Sequence, residues 1–374
     1  MIEKYYDGAI EQVAAGLGTV EKNYLLVRYS GQFSVENLND TKQLEKNEDI
    51  FVQVHEFETG EITCAYEPYL TMICDGFRRY MTGTFEEFME TCDVYYLHRP
   101  VLLGYFNQDN TGREEIILLD EVAYEQERML AALERMLCAI ADRHPILLIL
   151  NRFQLAPKST MQLTARLLKI ENCNIGLVLG VSDIQAMPEF LVPDWEMLYE
   201  TLDDGSKIYH IGNSGRKKEE IAEDEKYIDY GSEKVYRKLQ NMVEFLDFDQ
   251  AAYYLENIER KIKFDNLFVD DAARFRMWLL FANVSILRQD IPKALEICED
   301  LEKIHLAGKE DECAYEQDYL IATAYMYQGK LKEALKMAGE TYRIAGKMSD
   351  DYRMFLSELL EAQIQMSGWY NIFF

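Results

Sequence analysis

The chain lacks the short-range signatures of metal and redox sites. Its seven cysteines, Cys64, Cys74, Cys92, Cys138, Cys173, Cys298 and Cys313, include no CxxC pair, and their number is odd. No two of its five histidines stand at the i, i+4 spacing of a helical metal site. This pattern fits a reduced protein with scattered core thiols and no metal. Positive charge is also scarce. Thirty-nine Lys and Arg face 66 Asp and Glu, for a net charge of -27, which repels phosphate backbones and anionic membrane surfaces. Nucleic acid is therefore not an expected partner of this chain, and neither is a membrane. Long apolar runs are missing too. The strongest, Ile146 to Leu150, is far too short to span a bilayer, and Met1 to Gly8 is charged and aromatic rather than leader-like. The expected location is the cytoplasm.

What is present is enough for two domains: 374 residues, 48% hydrophobic and 28% charged. From Ser232 onward the chain repeats itself. Asp247-Phe248-Asp249-Gln250-Ala251-Ala252, Asp290-Ile291-Pro292-Lys293-Ala294-Leu295 and Lys330-Leu331-Lys332-Glu333-Ala334-Leu335 superpose at spacings of 43 and 40 residues. Each reads as a tight turn, an apolar residue, and a helix opening on a small residue. The helices before the turns match as well, with Ala282 and Ala322 flanked by Trp278, Phe281 and Ile286 or by Ile321, Tyr325 and Met326. Small residues at fixed places let antiparallel helices approach while large neighbours fill the groove.

These residues resemble the tetratricopeptide repeat (TPR). Trp278, Phe281, Ala282 and Ala294 fall at its signature offsets in one unit, and Ala322, Tyr325, Gly329, Leu331 and Ala334 in the next. The closing proline is absent, and the period exceeds the usual ~34 residues. A fourth unit is expected from Arg353, with Leu356, Leu360 and Ile364 as its apolar stripe, a turn at Gly368 and a cut-off helix from Tyr370. The expected tail, Trp369, Tyr370, Ile372, Phe373 and Phe374, would leave a solenoid uncapped. It implies a longer protein, a tail that packs back, or a homodimer.

Before Gly231 short branched runs alternate with helical segments, which indicates a parallel sheet covered on both faces. Strands are expected at Tyr24 to Tyr29, Asp49 to Phe57, Glu115 to Leu119, Ile146 to Leu150 and Ile175 to Val181, and a stretch from Lys207 to Ile211 precedes the last helical segment. Helices are expected at Glu121 to Arg143, Lys158 to Ile170 and Arg216 to Glu225. The order resembles the ATPase domain of STAND-class P-loop signalling proteins, AAA-like regulators of bacteria in which such a domain precedes TPR-like repeats. The likeness is most specific from Pro145 to Thr160, where Asn151-Arg152-Phe153-Gln154-Leu155-Ala156 follows an apolar strand. It implies a P-loop-NTPase-like α/β domain over 1–202, a lid or linker over 203–231, and TPR-like repeats over 232–374. With it goes the expectation that the strands near Tyr24 and Ile146 are neighbours in one parallel sheet.

The chemistry of that family is missing. A phosphate loop needs GxxxxGK[ST], whose backbone N–H groups and lysine hold the phosphates. Here Ser30-Gly31-Gln32-Phe33-Ser34-Val35-Glu36 follows the first strand, with one glycine and no lysine. The strand that should end in metal-binding acids ends in Asn151 and Arg152, and Ser182-Asp183 stands where a polar sensor is expected. Losing two charge-assisted contacts of ~1.5–3 kcal/mol each removes roughly 10² to 10⁴ in affinity or rate. Gly31, Ser34, Asn151 and Arg152 thus mark a degenerate nucleotide site without catalytic residues or a cofactor.

Other features read as structural. Gly16-Leu17-Gly18 precedes the first strand instead of following it. His144 reads as a helix-terminal residue favoured by the dipole. His55, His98, His210 and His305 have no neighbouring Cys or carboxylate in a triad or metal pattern. The expected function is that of a non-catalytic regulator, a pseudo-ATPase platform beside an array that binds a protein, a peptide or a small-molecule signal. The alternative is an ATPase switch with a noncanonical site in which Ser34 and Arg152 approach the phosphates.

Overall fold

A computed structural model of the chain describes residues 2–17, 23–29, 49–58, 60–108, 122–170, 173–182, 187–202, 208–211, 229–265 and 267–373. The chain divides into two compact units, one of Met1–Ile228 with Glu244–Asp247, the other of Asp229–Val243 with Phe248–Phe374. The expected strand at Glu115 to Leu119, the expected helix at Arg216 to Glu225, and most of 203–231 lie outside the described residues.

Five strands of the first unit, β1 (Asn23–Tyr29), β2 (Phe51–Glu56), β3 (Ile146–Asn151), β4 (Ile175–Ser182) and β5 (Ile208–Ile211), form one sheet in the order β2-β3-β4-β1-β5. Every pairing is parallel. The run Ile146 to Leu150 is apolar at every position because β3 is buried on both faces, with all six residues buried. One correction concerns β1 and β3. They share the sheet, but β4 lies between them, pairing Leu25 with Val178 on one side and Ile149 with Val178 on the other. The sequence has no signal for this, since β1 and β4 are equally apolar and register is a long-range property.

Helix α1 (Ile2–Gly16) packs Ala9, Ile10 and Val13 on Leu25, Val27, Leu147, Ile149 and Val178, the alternate residues that define one sheet face. The approach is close at Gly176, where a Cβ would come within 2.6 Å of Val13 Cγ1, so only glycine fits. On the opposite face are α2 (Tyr69–Tyr80) and α7 (Val192–Thr201). Tyr80 meets Phe51 edge-on at 5.4 Å, and Tyr199 lies under the Arg28 guanidinium at 4.9 Å. Between them in sequence come α3 (Phe85–Thr91), α4 (Arg99–Asn107), α5 (Val122–Ala141) and α6 (Lys158–Leu167). The expected face of α5 is its buried one: Met129, Leu133, Met136, Leu137 and Ile140 are fully enclosed.

The second unit is helical throughout its described residues: α8 (Glu233–Glu244), α9 (Phe248–Phe264), α10 (Asp271–Leu287), α11 (Ile291–Leu301), α12 (Glu310–Tyr327), α13 (Leu331–Met348) and α14 (Asp351–Phe373). From α9 to α14 each helix packs on its successor, and α10 on α12 and α12 on α14 pack as well. Helix α14 runs through Gly368 without a break, so the expected turn there is corrected. A single glycine costs a helix only ~1 kcal/mol, which does not end it without a competing turn. No helix among the described residues is long and apolar enough to cross a membrane.

Candidate functional site

Ligands of open parallel sheets gather beyond the carboxyl ends of the strands. In the first unit that edge carries Tyr29 at the end of β1, Glu56 at the end of β2, Asn151 and Arg152 at the end of β3, and Ser182 at the end of β4. Asn151 is fully buried, and its Oδ1 accepts a 2.7 Å hydrogen bond from the Tyr29 hydroxyl across the intervening β4. Burial pushes the Tyr29 phenol up to about 12, against the opposing pull of Arg152 and of the Asn151 hydrogen bond. Tyr29 is thus a neutral donor fixed on a neutral acceptor.

Arg152 takes a left-handed backbone, φ 52°, which turns the chain out of β3 into the short 3₁₀ turn Phe153–Leu155. Its guanidinium Nε sits 3.3 Å from Glu56 Oε1, and both side chains are about four-fifths buried. A partly buried pair of this kind holds its cation more firmly than an exposed one. Gln154 completes the edge: its Nε2 donates to Ser182 O at 3.1 Å, and its Oε1 accepts from Ser182 N at 3.3 Å. Among the described residues the edge is a hydrogen-bonded polar layer that holds one carboxylate–guanidinium pair. Of the four residues assigned to a degenerate nucleotide site, the structure brings Asn151 and Arg152 together here. Gly31 and Ser34 lie outside the described residues, as does Asp183.

A second polar cluster is marked by no sequence motif. Glu67 accepts from Thr71 Oγ1 at 3.0 Å and from the Tyr105 hydroxyl, while its carbonyl accepts from Thr160 Oγ1 at 2.7 Å. Burial, then the Glu67 charge, holds the Tyr105 phenol far above its ordinary range, so it stays a donor. Tyr66 and Tyr105 both meet Phe245 edge-on, at 6.2 and 5.9 Å. Two residues on, the buried Asp247 carboxylate accepts from Ser159 N at 3.0 Å. Helix α6 needs that acceptor, because Pro157 at its N-cap offers no side-chain oxygen.

Two further pairs correct the sequence reading. His98 is not isolated: its Nε2 lies 3.0 Å from Glu125 Oε2 with both side chains buried. Nor are all the thiols scattered, since Cys138 and Cys173 face one another at 3.2 Å. His144 stacks on Tyr80, with centroids 4.1 Å apart. Nothing in the local sequence signals these contacts, which join residues on different elements. Among the described residues, no group of three His, Cys, Asp or Glu side chains converges to hold a metal ion.

Of the seven residues assigned to repeat packing in the second unit, six are buried or half-buried and Gly329 is exposed in a turn. Ala282, Ala294, Ala322 and Ala334 are fully buried, Trp278 is 3% exposed, and Tyr325 is half-buried. The three aligned turns share one backbone device. Leu246, Gln289 and Gly329, each two residues before a helix begins, have φ of 67°, 63° and 77°. The last two close with a 6→1 bond, Asp290 N to Ser285 O at 2.8 Å and Lys330 N to Tyr325 O at 2.9 Å, the Schellman pattern. Ser349 and Asp350 repeat it before α14, with φ 56° and a bond to Ala345 O at 3.1 Å.

No family model matches this chain, and no curated protein matches it either.

Proposed function

We propose that the chain is a non-catalytic regulatory interaction protein, in which a P-loop-ATPase-like unit serves as a platform and a TPR-like array binds a protein, a peptide or a small-molecule signal. The observation that carries the first half is the Arg152–Glu56 pair beside the enclosed Asn151. A nucleotide-hydrolysing edge needs carboxylates on β3 to hold a metal and orient water. Here an amide that accepts from Tyr29 takes one place, and a cation paired with Glu56 takes the next. The strand order does not support the STAND likeness: the resemblance carried the expectation that β1 and β3 are neighbours, and β4 stands between them, so the platform reading rests on the parallel sheet and its polar edge alone.

The second half rests on the recurring left-handed turns and on the enclosed alanines, which suit helical hairpins stacked in series. Exposed Tyr352, Phe355, Leu359 and Met366 form a stripe along α14 at helical spacing, apolar surface on which a partner can sit. Isothermal titration with ATP, with and without magnesium, tests the platform reading. No heat, or weak binding indifferent to magnesium, is the expected result. Submicromolar, magnesium-dependent binding would establish the nucleotide-switch alternative instead.

A further inference from the structure

We propose that Cys138 and Cys173 form a dithiol site that takes up oxidising equivalents from a low-molecular-weight disulfide and closes to an intramolecular disulfide. Their sulfurs are 3.2 Å apart, so closure to the ~2.05 Å of a bond needs a movement of about 1 Å. The backbones on both sides are anchored. The Cys138 carbonyl accepts from Asp142 N at 2.8 Å in the last turns of α5, and the carbonyl of Asn174, next to Cys173, accepts from Ile146 N at 2.8 Å at the start of β3. Both thiols are partly accessible, whereas Cys74, Cys92 and Cys298 are buried. Burial pushes those three up to about 12, 11 and 12, which leaves them inert.

The two sulfurs are not equivalent. Either sulfur can donate to the other; with Cys138 as the donor, its hydrogen bond and the Ile175 amide lower Cys173 against burial and the Asp142 and Glu134 charges, while Cys138 is raised, so Cys173 is the attacking thiolate. Cys173 thiolate attacks one sulfur of the small disulfide, the S–S bond breaks, and one small thiolate leaves. Cys138 then loses its proton, attacks the Cys173 sulfur of the mixed disulfide, and expels the second small thiolate. Two protein thiols are oxidised by two electrons, one small disulfide becomes two small thiols, and the two protons end on the leaving groups. The closed loop encloses β3, Arg152 and α6, so oxidation staples α5 to the entry of β4 around the polar edge. This inference does not depend on whether the first unit binds nucleotide.

The test uses the full chain, reduced and then equilibrated with oxidised glutathione, followed by thiol counting and a non-reduced peptide map. The expected result is loss of two thiols, a cross-linked peptide joining Cys138 to Cys173, no retained glutathione, and a Tm raised by about 5–10 °C. In Cys138→Ser the reaction should halt with one glutathione on Cys173. An unchanged thiol count in the wild-type chain, a different cross-linked pair, or a wild-type product that stays glutathionylated would each overturn the proposal. The wild-type map decides it even if the variant fails to fold.

Discussion

Single side chains decide what chemistry this edge can hold. If Arg152 and Glu56 spend their charges on each other, removing either should be felt by its partner. A double-mutant cycle of Arg152→Ala and Glu56→Gln, read by urea unfolding, is expected to give a coupling of about 1–2 kcal/mol, above that of an exposed pair. A second residue carries a pH dependence. Burial, then the charges of Glu340 and Glu302 against the weaker pull of Arg343, raises Asp318 from 3.8 to about 6. The folded chain therefore binds this proton more tightly than the unfolded chain does. The contribution to stability is full below about pH 4 and is lost as pH rises through about 6. Asp318→Asn should stabilise the protein by about 1–2 kcal/mol at pH 8, after discounting for solvent screening, and should leave melting at pH 4 unchanged. The sequence discloses neither effect. It places Arg152 at the end of an apolar strand, but Glu56 faces it only because β2 and β3 pair in parallel with Glu56 opposite Asn151.

Among elements, the turns were the most legible. The superposed motifs predict a turn, an apolar residue and then a helix opening on a small residue, Ala251, Ala294 or Ala334; the helices begin about a turn earlier, on the apolar residues Phe248, Ile291 and Leu331. The local code suffices because a left-handed residue, a cap and a small residue act within a few positions. The aligned positions differ in cost, however. Gly329 adopts φ 77° freely, whereas Gln289 carries a Cβ at φ 63°. Gln289→Gly should stabilise the second unit by about 0.5–1 kcal/mol and Gly329→Ala should destabilise it by a similar amount, measured as shifts in denaturant midpoint at constant slope. In the first unit, Asp247→Ala removes the acceptor at the start of α6. A loss of about 1–2 kcal/mol is expected in thermal unfolding, with Asp247→Asn recovering part of it. By contrast, Gly368 looked like a turn but lies within α14, because a glycine without a competing turn is only a weak break. The strand order was not legible at all, since nothing in an apolar run encodes which neighbour it pairs with.

For the whole molecule, composition sets a boundary on partners. A chain at -27 should not retard a short DNA duplex in a gel shift even at low salt, and a shift that weakens with added salt would contradict this. The two-part organisation was visible as a change of periodicity near Gly231, but not the detail that Glu244–Asp247 belongs to the first unit. That detail has a consequence in time. The Ser159 amide precedes its acceptor Asp247 by 88 residues. At about 5–20 residues per second, a ribosome needs roughly 4–18 s to bridge that interval. Throughout it the nascent α6 lacks its cap and Tyr66 lacks Phe245, so the first unit completes its folding only after part of the second has been made.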